Sequence, residues 1–269
     1  PVTDYAAAVD AMGLPLNPDN APRISTGLDE SLRQARAAAE AARSLDAAAR
    51  RRSAEMAAGT KPGSLELKIK EQSEAVAAER LRWDRLTKEH ADLKKKVDDL
   101  PDQDKPKLLP LLSKAADALR AAARDLGSLE TSVKIMGEQA PAMKAAHTSA
   151  QAYLVETSSA SAGTIVQSEV LPAPLDEARA LLGDLGREPR EVSRRRAWEK
   201  LELVRDITGQ LFQAADRACN RADDFRRHSA SFETASDAFA KALANAGSGL
   251  AAVKPLLDEA QKALRLAAE

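Results

Sequence analysis

The sequence predicts an all-α protein, an elongated antiparallel helical bundle of coiled-coil character, and three observations predict it. From Leu108 a row of apolar or small residues recurs at alternating steps of four and three: Leu108, Leu112, Ala115, Leu119, Ala122, Leu126, Leu129, Val133, Met136, Ala140, Met143, His147, Ala150 and Leu154. A second row of the same kind runs Leu201, Val204, Thr208, Leu211, Ala215, Ala218, Ala222, Phe225, Ser229, Phe232, Ser236, Phe239 and Leu243. A repeat averaging about 3.5 residues keeps one seam of a helix turned toward a lengthwise partner. The third observation is composition. Aromatics make up 3% of the chain, and the 44% apolar share is inflated by alanine, so the core is Leu and Ala, which suits closely packed helices. No stretch shows the strict alternation of a strand.

The elements follow in order. Residues 1–12 predict a short helix capped by Thr3, and the Pro-rich stretch 13–23 interrupts it. Together, 1–24 are expected to form a loosely ordered lead-in to a single bundle over 25–269. Ser25 or Thr26 opens a helix to about residue 58, with Asp29 and Glu30 in its first turn. Its seam of Leu28, Leu32, Ala35, Ala39, Ala42 and Ala49 is weak and interrupted by Asp46, so it needs a close partner. Residues 59–64, GTKPGS, read as a turn between antiparallel neighbours.

Over 64–100 the seam returns with Ile69, Val76, Trp83, His90 and Val97 in one column and Leu65, Leu86, Leu93 and Leu100 in the other, where Gln72 and Glu79 are imperfections. Arg80, Asp84, Lys88, Asp92 and Lys96 alternate in sign on a water-facing side. One long helix is expected over about 106–158, with a kink or a division into two collinear helices at Pro141, which cannot donate to the carbonyl of Gly137. Residues 158–174, small, polar and ending in prolines, predict a flexible loop, and a short helix follows to about 185. Pro189 then opens a second long helix, about 190–245. NAGSG ends it, and a last helix covers 250–268. The shorter helices are expected to cover the two long ones.

Chemistry is sparse. Cys219 is the single cysteine, so no internal disulfide forms. His90 and His147 fall on seam positions, and packed, hydrogen-bonded histidines are expected there. The Cys-x-x-Cys, His-x-x-x-His and Glu-x-x-His spacings of metal sites do not occur, nor does a nucleophile elbow or a Gly-rich phosphate loop. The expectation is therefore no catalytic residue, no cofactor and no metal.

The charged residues are 30% of the chain and sum to −1, which disfavours nucleic acid as a partner. Two basic clusters nonetheless stand out. Arg36, Arg43 and Arg50 share one helix face, continued by Arg51 and Arg52, and Arg194, Arg195 and Arg196 stand beside Trp198. These nine residues are the candidate interaction surface. Interleaved acids favour internal pairing over phosphate binding. Leu203, Ile207 and Phe212 lie off the main row and predict a second apolar face, covered by the chain's own helices or by another copy.

The longest uncharged stretches, 157–168 and 242–253, are 12 residues each. A spanning helix needs about 20, so no transmembrane segment is expected. The opening residues lack the basic and apolar regions of a signal peptide, and the first residue is Pro, which implies processing, trimming or excision from a larger protein. A soluble protein is expected, cytoplasmic or secreted without such a peptide, from a GC-rich bacterial gene as judged by its Ala, Arg, Asp and Leu usage.

The function these readings point to is a non-enzymatic scaffold or adaptor with protein partners. Two alternatives belong to other classes. One is the helical region of a secreted bacterial effector or toxin engaging a host protein or membrane. The other is binding of an anionic membrane or nucleic acid by the Arg stripe. At the level of architecture only, the chain resembles needle-tip and α-pore-forming proteins, without a matching motif and without an apolar tongue.

Overall fold

A computed structural model describes residues 2–61, 63–102, 105–185 and 191–269. The described residues form six α-helices and no strand: α1 (Val2–Met12), α2 (Ala21–Gly59), α3 (Ser64–Asp98), α4 (Lys105–Val170), α5 (Pro172–Leu185) and α6 (Glu191–Ala268). Four of them are long and pack against one another in an all-helical bundle. Both expected long helices are present, and both run further than expected. Pro189, read as the opening of the second, lies outside the described residues.

Packing divides the chain into two compact units where the sequence predicts one bundle over 25–269. Residues 1–56 and 147–229 make the first, and 57–146 and 230–269 make the second. In the first unit α2 and α6 run parallel, with Arg52 reaching Ser229 and Arg33 opposite Gly209. The C-terminal part of α4 runs against both, since Ser158 meets Asp46 of α2 and Glu156 meets Arg221 of α6. The second unit repeats the pattern with α3 in place of α2. Arg80 faces Glu130, Arg82 binds Asp258, and Lys114 pairs with Glu259.

The second unit's core holds Leu112, Leu119, Leu126 and Leu129 of α4 against Val253, Leu257 and Leu264 of α6, with Val76, Leu86 and Val97 of α3. Two of its polar seam groups, Trp83 and His90, bond the α4 backbone, whereas Gln72 Oε1 and Glu79 Oε2 are buried without a hydrogen-bond partner. Trp83 donates its indole N–H to the Leu119 carbonyl at 2.8 Å while Arg80 lies over the ring, and His90 Nε2 donates to the Leu112 carbonyl at 3.1 Å.

The lead-in is a correction. Met12 and Ile24 are 0% exposed, and both belong to the core formed by Leu28, Leu171, Leu175, Leu201, Val204 and Leu211. Residues 8–24 therefore supply core rather than a loose tail. The helix opens at Ala21 because Asn17 accepts from the Asn20 backbone N–H at 2.8 Å and sets the turn, and Pro22 in the first turn has no N–H to satisfy. Gly27 makes the approach of α1 to α2 close. A Cβ there would lie 2.9 Å from Ala11 Cβ and 3.0 Å from the Ala8 carbonyl oxygen. Gly27→Leu is thus expected to release α1 from α2. Limited proteolysis read by mass spectrometry should show new early cuts within residues 2–20, and an unchanged cleavage pattern would count against this packing.

A second correction concerns the loop expected over 158–174. The helix α4 continues through Val170, and Thr157, Ser161 and Thr164 are buried. Thr157 donates to the Tyr153 carbonyl at 2.7 Å and Thr164 to the Ala160 carbonyl at 3.0 Å, so the helix itself satisfies the two threonine hydroxyls, while Ser161 Oγ is buried without a partner. The break comes only at Leu171, because Pro172 and Pro174 lack the N–H groups that would bond the carbonyls of Ser168 and Val170. Likewise NAGSG does not end the second long helix, and α6 continues through Gly247, Gly249 and Pro255. Pro110 and Pro141 also lie inside α4, each on an exposed side.

Candidate functional site

The basic stripe on α2 is largely committed to the chain's own acids. Arg50 donates to Asp46 at 2.8 Å and to Ser158 Oγ at 3.1 Å, and that serine donates to Asp46 at 2.5 Å. Burial pushes the Asp46 carboxyl up, but hydrogen bonds from Arg50 and Ser158 outweigh it and hold the group below the ordinary aspartate range. Asp46, read in the sequence as an interruption of the seam, is therefore a tie between α2 and α4. Arg43 lies 3.8 Å from Glu169, and Arg52 donates to Ser229 at 2.9 Å and to Glu55 at 2.8 Å. Arg36 and Arg51 are exposed, with no ion pair among the described residues.

The second cluster presents a different surface. Arg194, Arg195 and Arg196 are exposed at the start of α6, and only Arg195 pairs among the described residues, with Glu199 at 3.2 Å. Trp198 stands four positions beyond Arg194, so the two share a helix face. Trp198 is 37% exposed, and Val192 and Leu203 nearby in the helix are 65% and 43% exposed.

The histidines are placed in separate settings. His147 Nε2 accepts from the Gln151 amide at 3.1 Å, and the same amide nitrogen donates to Ser53 Oγ. His228 stacks on Tyr153 with ring centroids 5.1 Å apart. His90 bonds the α4 backbone, as described above. Among the described residues no three potential metal ligands come together.

A surface that sequence reasoning missed lies in the first unit. Between α2 and α6 an open groove of about 690 Å³ is lined by Arg33, Gln34, Ala37, Ala38, Ala41, Ala42 and Leu45 from one helix and by Gly209, Phe212, Gln213, Ala215, Asp216, Ala218 and Cys219 from the other. Only Phe212, off the main row, signalled it. Small side chains make the groove, since alanine and glycine on parallel α2 and α6 leave the space that larger residues would fill. Burial pushes the Cys219 thiol up, and the carboxylates of Asp216 and Asp223 push it further, so it is not poised as a thiolate.

Glu30, beside the groove, accepts from Arg33 Nε at 2.8 Å and from the Gln34 amide at 2.6 Å. The Arg33 hydrogen bond, then that of Gln34, hold its carboxyl down at about 2 from an ordinary 4.5. Because the folded value lies below the unfolded one, this contact stabilises fully above the unfolded value and is lost as pH falls through the folded one. The melting-temperature advantage of the native chain over Glu30→Gln should therefore be present at neutral pH and shrink between about pH 4.5 and 2. A difference independent of pH would contradict the assignment.

No protein-family model, curated protein or solved structure matches the chain. Among the described residues no helix is long and apolar enough to cross a membrane.

Proposed function

We propose that this chain is a non-enzymatic helical scaffold or adaptor that holds a shape and presents surfaces to other proteins. The observation that carries this reading is one face at the start of α6, where Trp198 is exposed one turn from Arg194, which has no ion pair among the described residues. Tryptophan and arginine dominate the energetics of protein contacts, and apolar groups left in water beside unpaired cations favour a covering partner. The long rows support the same reading, since most of the large apolar residues are spent on packing helix against helix. Asp46, Glu30 and the histidines are tied to neighbours within the chain.

A photo-crosslinking residue at Glu202, exposed one turn from Trp198 on the same face of α6, tests this proposal in the source cell. It is expected to trap a defined protein, and Trp198→Ala with Arg194→Glu is expected to abolish that product without changing the melting temperature. A product unaffected by the double substitution overturns the reading. The competing reading, an anionic surface bound by the Arg36–Arg43–Arg50 stripe, is weakened because Arg43 and Arg50 face Glu169 and Asp46. Flotation with phosphatidylserine vesicles separates the two. Recruitment that falls with salt and disappears on reversing those three charges would favour the membrane.

A further inference from the structure

We propose that the groove between α2 and α6 docks a helix of a partner protein, about three turns long, with small apolar side chains on the face that enters and a cation that meets Asp216. The inference rests on the interaction-protein reading above and names the partner's chemistry. Its first support is continuity with a contact the chain already makes. The helix α1 lies on α2 at Gly27, and the turn that follows α1 brings Gly13 against the Arg205 side chain of α6. Beyond that contact, Arg33 borders both the recess beside Ala7, Ala8 and Ala11 and the open groove. The groove thus prolongs the place where an alanine-rich helix already sits. From Gln34 to Leu45 it extends about 16 Å along α2 at 1.5 Å per residue, which is room for three turns.

The lining specifies the occupant. Ala37, Ala38 and Ala41 face Gly209 and Ala215, so a third backbone can approach closely only if its own ridge is small. Gln34 is 8% exposed and spends its amide N–H on Glu30, while its Oε1 is buried without a hydrogen-bond partner. A donor side chain on an entering helix, with a small rotation of that amide, completes it. The charges leave a remainder as well. Arg33 is taken by Glu30, whereas Asp216 accepts only a 3.3 Å bond from Asn220 among the described residues. The lining therefore carries one uncompensated negative charge, and a lysine or arginine on the partner satisfies it.

The test uses the full chain and a fluorescent 14-residue alanine-rich helical peptide bearing lysines along one flank, followed by anisotropy. Saturable binding is expected, weakened roughly tenfold by Asp216→Asn and lost in Ala41→Arg, whose exposed site places bulk and like charge in the groove without touching the core. Absence of binding, equal binding to Ala41→Arg, or equally tight binding of the glutamate version of the peptide overturns the proposal. So does a dimer by light scattering that Ala41→Arg dissociates, which would assign the groove to a second copy. If no peptide binds while the Glu202 crosslink persists, the groove falls and the interaction reading stands. If both fail, both fall.

Discussion

Phe232→Ala is expected to cost roughly 3–5 kcal/mol and to lower the melting temperature on the order of 10 °C. In α6 Phe225, Phe232 and Phe239 form one column, 4%, 6% and 4% exposed, and Ala222, Ser229 and Ser236 form the small column beside it. The Phe232 ring lies over Gly59 of α2, with Cζ 3.2 Å from where a Cβ would be. A glycine has no side chain to relax into the space the ring vacates, so the cavity stays open and the cost falls toward the upper end of that range. Thermal unfolding followed by circular dichroism checks this. Phe212→Ala, at the half-buried groove, serves as the comparison and should cost less. Unchanged melting of Phe232→Ala would show that the column is not a packed seam.

Much of this fold is legible in the rows alone, and its misreadings share one physical origin. The stepwise count from Leu154 continues without a slip through Thr157, Ser161, Thr164, Ser168, Leu171, Leu175, Ala178 and Leu182. The polarity of this segment predicts an end to the helix, yet a threonine on a helix bonds its own preceding turn and is buried without a partner from elsewhere. The row of α6 likewise continues through Ala246, Leu250, Val253 and Leu257 across the glycines. Spacing outranks local composition in both cases. The parts that stayed hidden are contacts between residues far apart in the chain. Nothing near Arg43 or Arg50 announces Glu169 or Ser158, and the α2–α6 groove exists only once Ala41 and Ala215 are side by side. The patch at Trp198 was visible because its residues are neighbours in sequence.

The two glycines of NAGSG turn that lesson into an expected pair of opposite results. Gly247 is exposed, and a Cβ there would meet nothing within 4 Å. Alanine at this site restricts the unfolded chain and favours the helix, so Gly247→Ala should stabilise by about 0.4–1 kcal/mol. Gly249 stands on the other side of the helix, where a Cβ would overlap Leu129 Cδ2 and lie 3.3 Å from Leu129 Cγ. Leu129 is 2% exposed among Leu126, Leu250 and Val253, so its side chain has little room to yield. Overpacking of this kind costs about 1–3 kcal/mol and exceeds the propensity gain, so Gly249→Ala should destabilise. In Leu129→Ala the overlap is gone, and adding Gly249→Ala should then cost less than it does in the native chain. Denaturant titration of the two single variants and the double variant measures that coupling. If both glycine substitutions stabilised equally, Gly249 would be a helix terminator kept for flexibility, and the close approach of α6 to α4 at Leu129 would be refuted.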